Sequence, residues 1–516
     1  MGQRWVKFLC VVASAALGQQ APTAGSPDAT FRTTTKLIQV SVVAQDKQGK
    51  PVLDLRREDF KIYDNGSPQN IQLFLAETEK SNLVAPEARA PKTFTNRIAS
   101  PAGSHNGYSA ILIDNLFTIF GDPDKEPGGR ALARLQALRM LRSIPSGEKI
   151  AIYAVGRKFT IICEFTSDRD LLERQLAAWK PSADAPATWQ EILGDPLGHE
   201  PDEIAIASHA RAAQEAVRID ALQRASASND EMRALADHLA GIPGRKNLIW
   251  LSTRFVMGPA LRKFSDANVA IYPIDLDGVC GGPDDPSVPC PTRPKELMDN
   301  IAAQTGGRAF YSRNDLDIAM REAMDDGRIS YTLGFYQPGD ETKATVHQLA
   351  VRVDRPGVTL RYRTSYQTEP PQSVSTSPAS DLIKAMNRPM DANAIPISAS
   401  VTRIKDRLDL KLSFDVSSLG LDLSNGLWKG QIELVARFVR ADGIRAGDVL
   451  SQTLAFSLRP ATYASMLQTG VRHQKEIEIP AKAVELKVLV GSLASGKIGT
   501  LTIPLSEVQP GVVKQK

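Results

Sequence analysis

At 516 residues the chain exceeds what one hydrophobic core supports, and its length points to three or four domains. With 42% hydrophobic and 23% charged residues it has the composition of a globular protein, which excludes a collagen-like or wholly disordered chain. The formal charge of +4 includes Arg4 and Lys7 of a candidate leader; without those two, 60 of the 62 basic residues face 58 acidic ones. So small a balance, with no long basic block, argues against a nucleic-acid partner.

Residues 1–18 read as a signal peptide. Arg4 and Lys7 supply the positive start, Phe8 to Gly18 the short apolar run, and Ala16-Leu17-Gly18 the small residues a signal peptidase reads. The expected location is therefore exported: periplasmic, outer-surface or secreted. No later run is long enough to span a bilayer as a helix, so no transmembrane segment is expected once the leader is removed. In an oxidising compartment Cys280 and Cys290, flanking a Gly/Pro-rich loop, could form a disulfide. Cys163, within an apolar run, reads as a buried small hydrophobe.

A small β unit is expected over residues 34–77. Ile38, Val40 and Val42 alternate with polar residues, and Asp64-Asn65-Gly66 is a tight-turn signal before Ile71 to Leu75. Residues 78–107, rich in Ala, Pro, Ser and Asn, read as a linker.

A larger α/β domain is expected over 108–366. It is organised around Ser109 to Thr118, where the apolar strand Ala110 to Ile113 ends in Asp114, with Thr118 four residues later. A carboxylate at the carboxyl end of a central parallel strand lies where open α/β sheets hold their ligands. A helix follows over Gly129 to Arg142, with Leu132, Leu135, Leu138 and Leu141 on one face. Next come a buried strand (Lys149 to Val155), an antiparallel edge strand (Phe159 to Phe165) and a helix begun by Ser167-Asp-Arg-Asp170. Ile204 to Leu239 is helical, with a break expected near Ser226 to Asp230. Strands are read at Gly244 to Thr253 and Val269 to Ile274, and helices at Glu296 to Gln304 and Asp315 to Met324. Ile329 to Tyr336 reads as the last apolar strand, and Val346 to Val353 with Val358 to Tyr366 as a closing hairpin. The alternation indicates a doubly wound sheet with helices on both faces.

Residues 367–390 read as a Pro/Ser linker. Over 391–510, six or seven regular strand-like runs suggest an immunoglobulin-like or fibronectin-like β-sandwich.

Taken in order, several motifs resemble the von Willebrand factor type A (VWA) family. They are Asp46-x-x-Gly49, Asp54-Leu55, Asp64-Asn65-Gly66, Ile111-Leu-Ile-Asp114, Gly244-Arg-Lys-Asn-Leu248, Val269 to Asp275, Thr305-Gly-Gly307 and Tyr331 to Tyr336. The chain looks most like the exported VWA-related proteins of the acidobacterial type, over about Phe31 to Tyr366. The resemblance implies a Rossmann-like VWA domain that binds a protein or cell-envelope ligand and performs no catalysis. The ligand-binding rim it implies comprises Asp114, Thr118, Thr253 and Asp275.

Typical VWA domains hold Mg²⁺ through an Asp-x-Ser-x-Ser loop, a distant Thr and a further Asp. Here Asp114 and Thr118 match, but Leu116 stands at the middle position, and Ser252-Thr253-Arg254 where the last carboxylate belongs. The expectation is a degenerate site with no cofactor, Asp114 and Thr118 bonding their own loop. The alternative is a modified Mg²⁺ or Ca²⁺ site using Asp114, Thr118 and Asp122 or Asp124, which would make the chain a metal-dependent adhesion module.

Catalytic patterns are missing from the sequence. The six histidines are scattered and none forms H-E-x-x-H; G-x-S-x-G and Walker motifs do not occur. A hydrolase with an unrecognised site is the remaining enzymatic reading. Trp250 is expected in the core, and Trp179 or Trp189 as an exposed anchor.

Overall fold

The computed structural model describes residues 35–77, 93–97, 107–114, 129–144, 147–156, 159–180, 203–242, 244–256, 258–277, 295–326, 330–338, 345–368, 378–388, 390–493 and 495–509. The leader, Thr118, Asp122, Asp124, Trp189 and the Cys280–Cys290 loop lie outside these residues. The architecture is mixed α/β with several sheets, as the fold class anticipates.

The first strands are β1 (Thr35–Gln45), β2 (Phe60–Asp64), β3 (Ser67–Gln69) and β4 (Leu73–Glu77). Asn65 and Gly66 both have positive φ, at 48° and 82°, which turns β2 tightly onto β3. These strands are not a separate N-terminal unit. The chain returns after residue 329 to complete them with β11 (Ser330–Pro338), β12 (Thr345–Val353), β13 (Thr359–Arg361) and β14 (Ser365–Thr368). The resulting sheets run β13-β1-β11-β4 and β14-β12-β2-β3. They share a core that includes Val40, Val42, Phe60, Ile62, Tyr331 and Phe335. Each short strand has one apolar face, and neither stretch alone could bury it. Two expectations are corrected here. The 330–338 strand belongs to this β unit rather than to the central sheet, and the closing hairpin is split, with β12 pairing β14 and β2 while β13 pairs β1.

The central sheet is built from β6 (Tyr108–Asp114), β7 (Lys149–Val155), β8 (Phe159–Thr166), β9 (Lys246–Ser252) and β10 (Val269–Asp275). Its order is β10-β9-β6-β7-β8, parallel throughout except for the antiparallel edge β8. Four of these strands are buried at every residue, which explains their unbroken apolar character.

Helices cover both faces. On one lie α1 (Gly129–Ser143) and α2 (Arg169–Ala178); on the other lie α3 (Glu203–Leu239), α4 (Ala260–Asp266) and α5 (Lys295–Thr305); α6 (Leu316–Asp325) joins the first pair. The expected break in the long helix is absent: α3 runs unbroken through Ser226 to Asp230. Ser228 is buried against the sheet side and Asn229 accepts a hydrogen bond from Ala260 N at 3.1 Å, so tertiary contacts hold the polar run helical. Trp179 packs against the core around α1 and α2, with its carbonyl accepting from Arg134, and so is not an exposed anchor. Cys163 is buried, as expected.

The linker 367–390 is shorter than expected, because α7 (Pro378–Asn387) occupies its second half. Beyond it are β15 (Ile397–Ile404), β16 (Arg407–Phe414), β17 (Asp422–Ser424), β18 (Leu427–Arg440), β19 (Arg445–Leu458), α8 (Pro460–Thr469), β20 (Val471–Glu478), β21 (Ala483–Ser492) and β22 (Ile498–Pro504). Two sheets enclose one core. One of them takes an edge strand from the supposed linker 78–107: β5 (Thr93–Thr95) pairs with β15.

The seam between α3 and this C-terminal region contains a buried imidazole. His238 Nδ1 lies 2.8 Å from the Asp391 carbonyl, while Nε2 lies 3.1 Å from the Tyr153 hydroxyl and 3.4 Å from Glu164. Asn393 Nδ2 donates to the His238 carbonyl at 2.8 Å. Burial pulls the His238 pKa down, but the hydrogen bond and charge of Glu164 and the Asp391 carbonyl outweigh it, leaving the ring above its ordinary 6.5. Burial raises Glu164 in turn, but the bond and charge of His238 hold it below its ordinary 4.5. A raised histidine contributes fully below its unfolded pKa and loses that contribution as pH climbs through the folded value. A lowered carboxyl contributes above its unfolded pKa and loses it as pH falls. The pair is thus fully stabilising between 4.5 and 6.5. The melting temperature is expected to fall as pH rises above that window, and His238→Gln to flatten that decline. Equal slopes in the two proteins would remove His238 as its cause.

Candidate functional site

In the parallel register Leu112 lies beside Trp250 and Ser252 beside Asp275, so Asp114, Ser252 and Asp275 end three adjacent strands on one rim. From β6 the chain runs through α1 to β7 on one side, and from β9 through α4 to β10 on the other, so the strand order reverses between β6 and β9 and opens a crevice at their carboxyl ends. The expected rim residues Asp114, Thr253 and Asp275 are therefore brought together at one end of the sheet.

Asp114 is fully buried. Trp250 Nε1 donates to its Oδ2 at 3.2 Å, and Ser252 Oγ stands 3.2 Å from the same oxygen. The serine hydroxyl also lies 2.5 Å from the Arg254 carbonyl and accepts from Arg254 N at 3.1 Å. Its single proton serves one acceptor at a time, the Asp114 carboxylate or the Arg254 carbonyl. The indole N–H is then the constant donor to the carboxylate. Phe255 meets the Trp250 ring edge-on at 5.0 Å and keeps it oriented. Leu112, Trp250 and Phe255 belong to the apolar cluster beneath α3, α4 and α5, so the carboxylate points along that packed face.

Asp275 accepts from Asp277 N through Oδ1 at 3.1 Å, while its own N–H donates to the Phe310 carbonyl at 2.9 Å. That is an Asx turn closing β10, the turn role its sequence context allows. Thr253 is buried and Arg254 exposed, which puts a cation at the outer lip of the rim.

Thr118, Asp122 and Asp124, which a modified Mg²⁺ or Ca²⁺ site would use beside Asp114, lie outside the described residues. A hard cation gathers six or more oxygens, drawn from carboxylates, hydroxyls, carbonyls and water. Here one oxygen of Asp114 is already held by an indole N–H, Asp275 is engaged in its turn, and Arg254 adds positive charge. The sequence reading missed Trp250 and Ser252 as partners of Asp114. The signal was available in the strand parity: residues 250 and 252 share a face, and a parallel neighbour presents that face beside 112 and 114.

The cavity beside Trp250, lined also by Asn229, Met232 and Phe264, measures about 20 Å³. It admits a water molecule at most, far below what a small-molecule substrate needs. A second buried polar group lies in the β unit. His347 Nδ1 is 2.9 Å from Asp64, Tyr366 OH donates to Asp64 at 2.8 Å, and His347 Nε2 faces Gln337 Nε2 at 3.3 Å. With both ring nitrogens engaged and His347 stacked on Tyr366 at 4.6 Å, this group ties β2, β12 and β14 together.

No protein-family model and no curated protein sequence matches the chain. Solved structures similar to it include BatB from Bacteroides thetaiotaomicron, 13% identical, with 42% of this chain and 96% of that one covered and a TM-score of 0.25. A von Willebrand factor type A protein from Catenulispora acidiphila is 12% identical over 61% of this chain and 74% of its own, with a TM-score of 0.27. The ArnB paralog VWA2 from Sulfolobus acidocaldarius is 9% identical over 79% and 78%, with a TM-score of 0.23. Scores this low leave the reading of the rim to its own geometry.

Proposed function

We propose that the chain is an exported, non-enzymatic binding or scaffolding protein. Its central sheet is a VWA-type doubly wound domain, its C-terminal region a β-sandwich, and its ligand a protein or cell-envelope component met at the rim of β6, β9 and β10. Recognition there is independent of divalent metal. The observation that carries this reading is the fully buried Asp114 carboxylate, held by the Trp250 indole N–H where a VWA metal site would begin. The motif order Asp114, Gly244 to Leu248, Asp275 and Thr305 to Gly307 supports the family assignment. At this rim, the small cavity beside Trp250 and the exposed Arg254 suit contact with a surface better than enclosure of a small substrate.

Calorimetric titration with Mg²⁺, Ca²⁺ and Mn²⁺ tests the metal-independent reading. No saturable heat is expected. Saturable heat that disappears in Asp114→Asn would instead make the chain a metal-dependent adhesion module. Capture of an envelope component that persists in chelator supports the proposal; capture lost in chelator sinks it. Turnover on an ester, glycoside or peptide panel, abolished by a single substitution, would replace the binding reading by a hydrolase.

A further inference from the structure

β19 is the longest edge strand described, with 14 residues, and among the described residues it pairs with β18 alone. Its outer backbone N–H and C=O groups face away from the sheet. Natural edges are guarded by charge, proline, bulges, short length or a covering segment. Other edges here follow that rule. β3, β5 and β17 have 3 residues each. β20 carries Arg472, Lys475, Glu476 and Glu478. The outer side of β22 is covered by 391–393: Thr500 N donates to the Ala392 carbonyl and Thr502 N to Asp391, both at 2.8 Å.

β19 has none of these guards over Val449 to Leu458, which contains no charge and no proline. Its one irregularity lies earlier, between the Phe438–Ala446 and Ala436–Leu450 pairs. Leu450, Leu454, Phe456 and Leu458 reach the shared core but are only partly buried. The opposite face, with Val449, Ser451, Thr453, Ala455 and Ser457, is exposed.

We infer that β19 is a self-association edge, which pairs antiparallel with β19 of a second copy about a two-fold axis perpendicular to the sheet. The charge pattern selects a second copy as occupant. In isologous pairing each residue meets the same strand reversed, so a charge near the axis meets its own kind. Centred on Leu454, the pairing sets Leu450 opposite Leu458, Gln452 opposite Phe456 and Leu454 opposite itself on the inner face. Ser451 then faces Ser457, and Thr453 faces Ala455, on the outer face. No like charges meet, and the partly buried leucines gain apolar cover across the axis.

Sedimentation velocity on the full chain across a concentration series tests the inference, and a reversible monomer–dimer equilibrium is expected. Ala455 is exposed and diagonal to its own copy in this register, so Ala455→Lys and Ala455→Glu should each raise the dimer dissociation constant by at least about tenfold. Mixing the two variants should restore dimer to the level of the unsubstituted chain, a rescue that misfolded variants could not give. A chain that stays monomeric throughout, a dimer indifferent to both substitutions, or a mixture that fails to recover would each overturn the assignment.

Discussion

Gly307→Ala is expected to cause the largest single loss of stability, about 3–5 kcal/mol. An added Cβ would stand 1.9 Å from the Ile271 carbonyl oxygen. That oxygen cannot retreat, because β10 is in register with β9 from Val269 to Asp275 and its residue Ile271 also donates N–H to Thr305 Oγ1 at 3.0 Å. The segment after α5 must move instead. Its movement would break the bonds from Phe310 N to the Pro273 carbonyl (2.8 Å) and from Asp275 N to the Phe310 carbonyl (2.9 Å), which hold Asp275 on the rim. The neighbouring Gly306 has φ of +81° and meets Arg363 N at 2.9 Å. Gly306→Ala should cost less, since its closest contact is looser, but the left-handed backbone alone contributes about 1–2 kcal/mol and the contact with the Tyr362–Arg363 backbone adds to it. Urea unfolding of both variants measures the difference. A Gly307→Ala protein within about 1 kcal/mol of the parent would show that this close approach does not constrain the fold.

Trp250→Ala is the second large effect, at about 3–5 kcal/mol for an aromatic deletion in a packed core. The ring is 3% exposed and lies against Phe255 in the cluster beneath α3, α4 and α5. Trp250→Phe separates packing from hydrogen bonding. It retains much of the apolar area but leaves Asp114 without the indole N–H, a loss of about 1–3 kcal/mol for a buried charged acceptor. If that bond carries the Phe effect, placing Trp250→Phe on an Asp114→Asn background should shrink it, because the acceptor is then neutral. Denaturation of the two single variants and the double variant closes the cycle. A coupling of zero would mean that the indole serves only as filler, and would remove the main physical argument for a rim closed to metal.

Much of the central region was legible because its strands announce themselves. A run such as Ala110 to Ile113 is apolar at every position only if both faces are covered, and all of β6, β7, β9 and β10 is buried. The Asn65-Gly66 turn was legible for the same local reason, since positive φ favours those residues. The α3 helix shows the limit of such reasoning: Ser226 to Asp230 has weak helix propensity, yet contact with α4 keeps it helical.

The sequence by itself determined the type of most elements of the central domain, the Asn65-Gly66 turn and the carboxylate at the end of β6, while β5, α4, α7 and α8 went unread. Periodicity and turn chemistry are written within a few residues, so they can be read there. Tertiary structure alone decided which strands share a sheet. Ser41 meets Thr332 across 291 positions, and Thr95 reaches the Ile397 carbonyl across 302. It also decided that Asp114 is answered by an indole 136 residues away. An alternating strand specifies that one face must be buried without specifying against what, and that choice is made only when the whole chain competes for cover.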